Sequence, residues 1–135
     1  MQRRLVAVLI SIAAAITLVA SAGAAVIARG TFVSIDNEPA AGNVTVVKIA
    51  NGSRILRFTK TAIGPGPALR IYLVAGIVNA STDVKVFRDL GRLKATTGSQ
   101  SYTIPRSVDV RRFRTVVVWC ADFSVAFGKA VLRPV

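Results

Sequence analysis

The amino-acid sequence predicts an all-β fold, an antiparallel β-sandwich or small barrel of about eight to nine strands, preceded by an N-terminal apolar helix. After Ala28, apolar residues alternate with polar ones or form short continuous runs, and no stretch repeats at helical spacing for three turns. Turn-forming residues separate these runs at close, regular intervals, which is typical of antiparallel sandwiches and barrels. We therefore expect one all-β domain over residues 29–135.

The N-terminal segment is predicted to direct export. Met1–Arg4 is a short basic start, and Leu5–Ala28 contains no charged residue. Small residues over Ala20–Ala24 supply an A-x-A-like site, so residues 1–28 are interpreted as a signal peptide or as an uncleaved signal anchor. The anchor stays open because 24 residues at about 1.5 Å each span a hydrocarbon core of about 30 Å. In either case the domain lies outside the cytoplasmic membrane, in an extracellular or periplasmic location.

Nine runs are predicted to be strands, because turn chemistry or a change in polarity bounds each of them. Asn51-Gly52 lies between two alternating runs and predicts a hairpin. The two prolines of Gly64–Pro67 have no backbone donor, so this segment ends a strand. Further breaks are expected at Ala95–Ser99 and Pro105–Asp109. The predicted strands are Thr31–Ile35, Val44–Ile49, Arg54–Thr59, Leu69–Val74, Lys85–Phe87, Tyr102–Ile104, Phe113–Cys120, Ser124–Phe127 and Ala130–Arg133.

Strand alternation also predicts which apolar side chains point inward. Val116, Val118 and Cys120 share one face of their strand, whereas Val117 and Trp119 share the other. The residues expected in the core are Phe32, Leu56, Phe58, Ile71, Leu73, Val116, Val118, Phe123, Phe127 and Leu132.

The charge of the exported part is strongly positive. Without Arg3 and Arg4, sixteen lysines and arginines face six acids, a net charge of +10. Such a domain is attracted to anionic lipid head groups, acidic wall polymers or acidic protein partners. Nucleic acid is not expected as a partner, because the domain is exported and lacks a basic helix of a recognised type. The alternative is that the charge only keeps a small secreted protein soluble.

The residue types present exclude several kinds of catalytic site. The chain has no histidine, so Ser-His-Asp and Cys-His arrangements cannot form. With one cysteine, the usual Cys/His zinc site cannot form within the chain, and no metal site is predicted. The six carboxylates are scattered, and no Gly-rich phosphate loop opens a helix. An electron-transfer or binding domain is therefore expected rather than a stand-alone enzyme.

Four segments in the second half of the chain follow one another in a characteristic order. They have the patterns GPxLxxYL, LGxLK, GSQxYxIP and VVVWCxxFSVxFGxAxL, and they begin at Gly66, Leu90, Gly98 and Val116. This succession resembles the DM-thirteen domain family, whose small domains are proposed to take part in electron transfer at cell surfaces. The resemblance covers nearly all of residues 30–133. Two departures concern polar positions of the family. The histidine that members often carry between Phe32 and Gly42 is missing, and Ala68 replaces an aspartate.

The resemblance implies that Cys120, the family's signature residue, is the functional group. It acts as a redox-active thiol or as a cofactor ligand, with Tyr102, Gln100 and Trp119 as candidate cofactor-binding neighbours. The cofactor is not identified; a five-coordinate thiolate-ligated haem is left open, whereas copper is not expected without histidines. The alternatives are that Cys120 is a small core residue, that Gln100 holds a loop by backbone hydrogen bonds, and that Tyr102 packs in the core.

Two functions therefore stand at this point. The first is an exported, cell-surface redox or electron-transfer module that acts through Cys120 on a redox or acidic protein partner. A strand-end position is expected to give the thiol access to solvent, with Lys94 and Arg114 as candidate cations to favour the thiolate. The second is a non-catalytic basic module that binds an anionic wall component, a lipid surface or an acidic protein.

Overall fold

The computed structural model describes residues 23–135, which form ten strands and one turn of 3-10 helix at Ser81–Asp83. The predicted N-terminal apolar helix lies outside these residues. The strands are β1 (Ala25–Thr31), β2 (Val33–Ser34), β3 (Ala40–Lys48), β4 (Arg54–Ile63), β5 (Leu69–Val74), β6 (Phe87–Arg92), β7 (Thr97–Ile104), β8 (Thr115–Cys120), β9 (Val125–Val131) and β10 (Arg133–Pro134).

The strands form two antiparallel sheets of five, in the orders β10-β1-β3-β4-β7 and β2-β9-β8-β5-β6. The chain passes between the sheets at Phe32, which separates β1 from β2, and at Leu132, which separates β9 from β10. Both side chains are buried at these crossings. The two sheets are thus joined along one side by nearly continuous strands, and the predicted all-β, antiparallel architecture is confirmed as a sandwich.

The main core lies between the two sheets. Nine of the ten predicted core residues are buried there, and Leu56, Phe58 and Val116 are fully enclosed. The prediction for Phe123 was wrong, because its side chain is 68% exposed. Phe123 belongs to the turn that joins β8 to β9, where Ser124 has a left-handed φ of 52°. The turn interrupts the alternation from which the inward position was inferred.

A second apolar layer covers the outer face of the second sheet. Val117 lies in this layer with Tyr72 and Val74, and Trp119 packs against it. The predicted division of β8 into two faces is therefore confirmed. The connection from β5 to β6 contributes Val78 and Val84 to the same layer, so this sheet is buried on both sides along β8 and β5.

The strand boundaries differ from the predicted ones in several places. The predicted Thr31–Ile35 strand is divided at Phe32 between β1 and β2, and β1 begins at Ala25. The predicted Ser124–Phe127 and Ala130–Arg133 runs are mostly one strand, β9. The sixth strand is longer and later than Lys85–Phe87, and β7 begins within the predicted break at Ala95–Ser99. The Asn51-Gly52 hairpin is confirmed, with Gly52 at a φ of +83° between β3 and β4.

The first strand reaches into the segment predicted to be the leader. Ala25 pairs with Lys48 and Val26 with Val47, and Ala28 is buried in the core. A boundary at residue 28 stays a prediction, but residues 25–28 are part of the first sheet. Within residues 23–135, no helix is long and apolar enough to cross a membrane.

Candidate functional site around Cys120

The four segments with family-like patterns meet at one end of the sandwich, here called the cysteine end. Its boundaries are the loop Ile35–Pro39, the segment Gly64–Ala68, the loop Leu93–Thr96 and the turn Ala121–Ser124. Sheet register brings them together, because β8 ends at Cys120 opposite Leu69, the first residue of β5. The same register aligns Arg70 with Arg92, the last residue of β6.

Cys120 is a fully buried residue of the main core, with 0% of its surface exposed. Its Sγ donates a hydrogen bond to the carbonyl oxygen of Pro67 at 3.2 Å. The next residue, Ala121, donates its backbone N–H to the carbonyl of Ala68 at 3.2 Å. The expectation that a strand-end position exposes the thiol was wrong, because Gly64–Ala68 folds over the end of β8.

The covering segment is closely fitted at one point and strained at another. A Cβ on Gly66 would lie 2.7 Å from Cζ of Phe127, closer than real Cβ contacts allow, so only glycine fits. Ala68 adopts a left-handed φ of 51°, which costs an L-residue other than glycine about 1–2 kcal/mol. Pro67 and Ala68 are nevertheless exposed. The segment is thus a surface layer over Cys120 at Pro67 and Ala68, whereas Gly64 is buried and donates its N–H to the carbonyl of Pro39 at 2.7 Å.

Gln100 and Tyr102 hold the neighbouring loop. The Gln100 side chain donates from Nε2 to the carbonyl of Ala95 at 2.7 Å and accepts the Ala95 N–H at 3.2 Å. The Tyr102 hydroxyl accepts the backbone N–H of Lys94 at 2.9 Å and donates to Gln100 Oε1. These contacts match the loop-holding role that the sequence left open for Gln100, and Tyr102 packs in the core beside Phe58. Both residues lie on β7 in the first sheet, whereas Cys120 lies on the second.

A shallow cleft of about 380 Å³ separates the segment Gly64–Ala68 from the loop Leu93–Thr96. Gly66, Ala68 and Leu69 form one wall, and residues 92–96 form the other. The backbone N–H of Leu93 donates to the carbonyl of Leu69 at 2.9 Å, which fixes the width of the cleft at its base. Gln100 and Tyr102 therefore shape this cleft indirectly through the loop, and Cys120 lies beneath its Gly66–Leu69 wall.

Of the two cations expected near the Cys120 thiol, Lys94 lies at the cysteine end and Arg114 does not. Lys94 belongs to the cysteine end, but its Nζ binds the carbonyl of Ser101 and lies 5.0 Å from the centre of the Tyr102 ring. Arg114 precedes β8, at the other end of the sandwich from Cys120. Burial raises the pKa of Tyr102 above its ordinary value of 10.0, partly opposed by the hydrogen bond from Lys94. Tyr102 is therefore a neutral hydrogen-bond donor near neutral pH.

Trp119 points away from Cys120, to the outer face of the second sheet. Its ring stacks on Tyr72 with centroids 5.8 Å apart, and Tyr72 stacks on Phe87 at 4.2 Å. Burial, followed by the charge of Asp89, raises the pKa of Tyr72. Asp89 itself pairs with Arg70 at 2.7 Å, beside this row of rings. Trp119 thus contributes to the outer layer, on the opposite side of β8 from the thiol.

A thiolate-ligated haem does not fit the arrangement around Cys120. The sulfur is enclosed by core side chains, its hydrogen bond goes to a backbone carbonyl, and Cys120 lines none of the three clefts described for this domain. Within residues 23–135, no group of three or more His, Cys, Asp or Glu side chains could hold a metal ion. The chemistry available at this end is that of the thiol itself.

The comparison with known families agrees with this convergence of segments. A family model described as Electron transfer DM13 matches residues 31–132. The chain belongs to the electron transfer DM13 family. Searches of curated proteins and of solved structures returned no match. The DM13 match spans both sheets from β2 to β9 and includes every segment of the cysteine end, so the description supports a redox-related module.

Sequence reasoning missed two participants at this end of the DM13 domain. The carbonyl of Pro67 is the hydrogen-bond partner of Cys120, and Phe127 is the surface against which Gly66 packs. A signal for the second contact was present, because the GPxL pattern places a glycine where close packing requires one. The hydrogen bond from Cys120 goes to a backbone carbonyl, which every residue type has, so the identity of Pro67 does not predict it.

Proposed function

We propose that this DM13 domain is an exported electron-transfer module in which the Cys120 thiol is the redox-active group. The observation that carries the proposal is the position of Sγ, directly beneath the exposed Pro67 and bonded to its carbonyl. One layer of chain separates the thiol from solvent on this side. A local displacement of Gly64–Ala68 breaks that hydrogen bond and exposes the sulfur while the two sheets stay paired.

The chemistry of an exposed thiol in an oxidising compartment is exchange with a disulfide. The Cys120 thiol loses its proton to solvent, and its sulfur attacks one sulfur of a partner disulfide. An S–S bond forms between the two molecules, the partner's S–S bond breaks, and the electron pair leaves on the partner's second sulfur. Since Cys120 is the only cysteine, no second thiol of the chain resolves the product. A thiol of a second molecule therefore has to attack the partner's sulfur in this mixed disulfide, which forms a new S–S bond and releases Cys120 as a thiol. The module in this way passes electrons from that thiol to the partner disulfide at the cell surface.

Export is supported by the fit between the leader and the first strand. The small residues Ala22-Gly23-Ala24 form an A-x-A pattern immediately before Ala25, the first residue of β1. Cleavage after Ala24 leaves β1 complete, whereas cleavage after Ala28 removes the pairings of Ala25 and Val26 with β3. The proposed exported form therefore begins at Ala25, or keeps the leader as an anchor that enters the domain at this residue.

The test uses the single cysteine as its own reporter. Modification of the folded protein by a thiol reagent is followed as a function of reagent concentration, and the rate of global unfolding is measured in parallel by circular dichroism. We expect Cys120 to react faster than global unfolding allows, and Cys120→Ala to abolish electron exchange with a model disulfide while the protein stays folded. A thiol that reacts only as fast as the whole domain unfolds overturns the proposal and leaves Cys120 as a core residue.

A further inference from the structure

The two ends of the sandwich differ in charge. The loop Pro105–Arg114 contains four arginines against one acid, Asp109, and the adjoining strand ends add Lys48 and Arg54. At the cysteine end, the four bounding segments contain three acids and Lys94, and the adjoining strand ends add Arg70 and Arg92. The end opposite to Cys120 is thus the more positive of the two. This surface, formed by Lys48, Arg54 and Pro105–Arg114, is called the basic end.

Register places the start of the domain at this same end. Ala25 pairs with Lys48, Lys48 pairs with Arg54, and Arg54 pairs with Ile104, so the four positions form one row across the first sheet. The uncharged leader Leu5–Ala24 therefore joins the domain beside the basic end. A membrane that holds this leader, or that has just released the domain from it, faces these cations first.

Two cations of the basic end, Arg54 and Arg106, are held in place by the fold. Arg54 donates to the carbonyls of Pro105 and Arg106, at 2.9 Å and 3.3 Å, and Arg106 donates to the carbonyl of Asn51 at 2.9 Å. These bonds tie the arginine-rich loop to the hairpin between β3 and β4. Lys48, Arg106, Arg111 and Arg112 remain exposed. Arg54 and Arg106 suit a surface with many phosphate groups, because their side chains are already ordered before binding. Arg111 pairs with Asp109 at 3.3 Å, with both side chains exposed.

The basic end also contains an apolar cleft of about 600 Å³. Its apolar lining comes from Ile27, Ala28, Val110 and Leu132, and Lys48, Arg54, Arg111 and Arg114 line it as well. Cations around an apolar hollow match the chemistry of a phospholipid, whose anionic head group adjoins hydrocarbon. An acidic polymer or protein segment would bind the cations but leave the apolar cleft unfilled.

Given the export proposed above, we infer that the basic end docks on the anionic phospholipid surface of the membrane from which the leader emerges. This docking directs the cysteine end away from the bilayer. Cys120 lies five residues along β8 from Thr115, which is about 17 Å at 3.3–3.4 Å per residue. The proposed redox group is thereby presented to partners outside the membrane.

The experiment measures which end approaches the bilayer. The full chain is reconstituted in phosphatidylcholine vesicles with or without phosphatidylglycerol, with a brominated lipid as the quencher of an attached fluorophore. In a Cys120→Ser background, the fluorophore is placed at Ser107→Cys in the basic end, or at Thr96→Cys in the cysteine end as the matched position; both sites are exposed. Cys120→Ala replaces Cys120→Ser if the serine variant does not fold. Because the thiol is absent in both backgrounds, failure of the redox proposal cannot alter this result.

We expect quenching at position 107 to increase with phosphatidylglycerol and to fall in high salt, and quenching at position 96 to stay low. Replacing Lys48, Arg111 and Arg112 by glutamine should lower the ratio of docked to free domains about a hundredfold, about fivefold for each cation. The control replaces Arg57, Lys60 and Arg92, which are exposed elsewhere, and changes net charge equally. Equal losses in the two variants, quenching that ignores lipid charge, or stronger quenching at position 96 would each overturn docking through this end. If the wild-type domain docks on the vesicles but soluble polyglutamate at equal charge concentration displaces it, the basic end is assigned to an acidic polymer instead.

Discussion

Substituting Gly66 with alanine tests directly whether Gly64–Ala68 controls access to Cys120. The new methyl group would lie 2.7 Å and 2.8 Å from two ring carbons of Phe127, and 3.2 Å from Cδ2 of Leu69. Phe127 is a buried core ring between the sheets, so the segment rather than the ring has to move. Overpacking of this kind typically costs about 1–3 kcal/mol, and the displacement moves Pro67 away from the thiol.

The expected result has a global and a local component. Loss of stability by itself raises the population of the unfolded chain about tenfold for each 1.4 kcal/mol, and with it the rate of thiol modification. The local component is an additional opening of the segment, which we expect to accelerate modification about tenfold beyond that correction. Thiol-reagent kinetics on the folded protein give the total effect, and chemical denaturation gives the global part.

Gly76→Ala supplies the matched control. Gly76 has a φ of +77°, and an added Cβ there meets no atom within 4 Å. The substitution therefore costs stability through backbone strain, about 1 kcal/mol after the unfolded-state gain is subtracted, at the end of the sandwich opposite to Cys120. If both variants modify at the same rate once stability is taken into account, the segment does not gate the thiol, and the reasoning from the Gly66 contact is refuted.

Four further predictions address the same architecture. Ala68→Gly should relieve the left-handed strain, stabilise the domain by up to about 1 kcal/mol and slow thiol modification; faster modification would contradict this. Mass spectrometry of the exported protein should find Ala25 as its first residue or an intact leader, and a start after Ala28 would contradict the pairing of β1. Gln100→Ala should lower the free energy of unfolding by about 1–3 kcal/mol, because the loop Leu93–Thr96 and the Tyr102 hydroxyl lose their hydrogen-bond partner. An unchanged denaturation midpoint would argue against this role of Gln100 in holding the loop. Burial raises the pKa of Tyr102. The neutral hydroxyl should therefore stabilise the domain fully at pH values below its ordinary pKa near 10, and this stabilisation should be lost as pH rises through the raised pKa. Tyr102→Phe should flatten this part of the dependence of unfolding free energy on pH.

The strands that were predicted well share one property. Arg54–Thr59, Leu69–Val74 and Phe113–Cys120 lie in the interior of a sheet, where burial imposes either alternation or a continuous apolar run. The sixth strand was misplaced because β6 is an edge strand with three charged residues and a glycine. Its pairing with β5 supplies its backbone hydrogen bonds, and pairing leaves no mark on residue type. An exposed edge gives sequence reasoning little to detect.

The site could be predicted only in part, for a different reason. The ordered segments correctly indicated the DM13 family, and alternation correctly placed Cys120 on the core face. Gln100 and Tyr102 lie on β7 in the first sheet and act on the site only by holding the loop Leu93–Thr96. Cys120 belongs to the other sheet. Their relation depends on how two sheets are stacked, which local patterns do not encode. Solvent access to Cys120 depended on the path of a segment that begins more than fifty residues earlier.

The burial of Cys120 and its proposed role in electron transfer together set a condition on how often this domain must open. Unfolding of a typical domain costs about 5–15 kcal/mol, so the fully unfolded chain makes up about one part in four thousand or less. A thiol exposed only by that route would be available too rarely to serve a partner. Local openings cost less where a segment has few buried contacts and lies outside the strands. Residues 65–68 come nearest to these conditions, because they lie between β4 and β5, are exposed at Pro65 and Pro67, and include the strained Ala68. Gly64 is buried and bonded to Pro39, so it stays in place in such an opening. The fit of Gly66 against Phe127 then sets the cost of opening, since this contact has to be broken before the sulfur is reached.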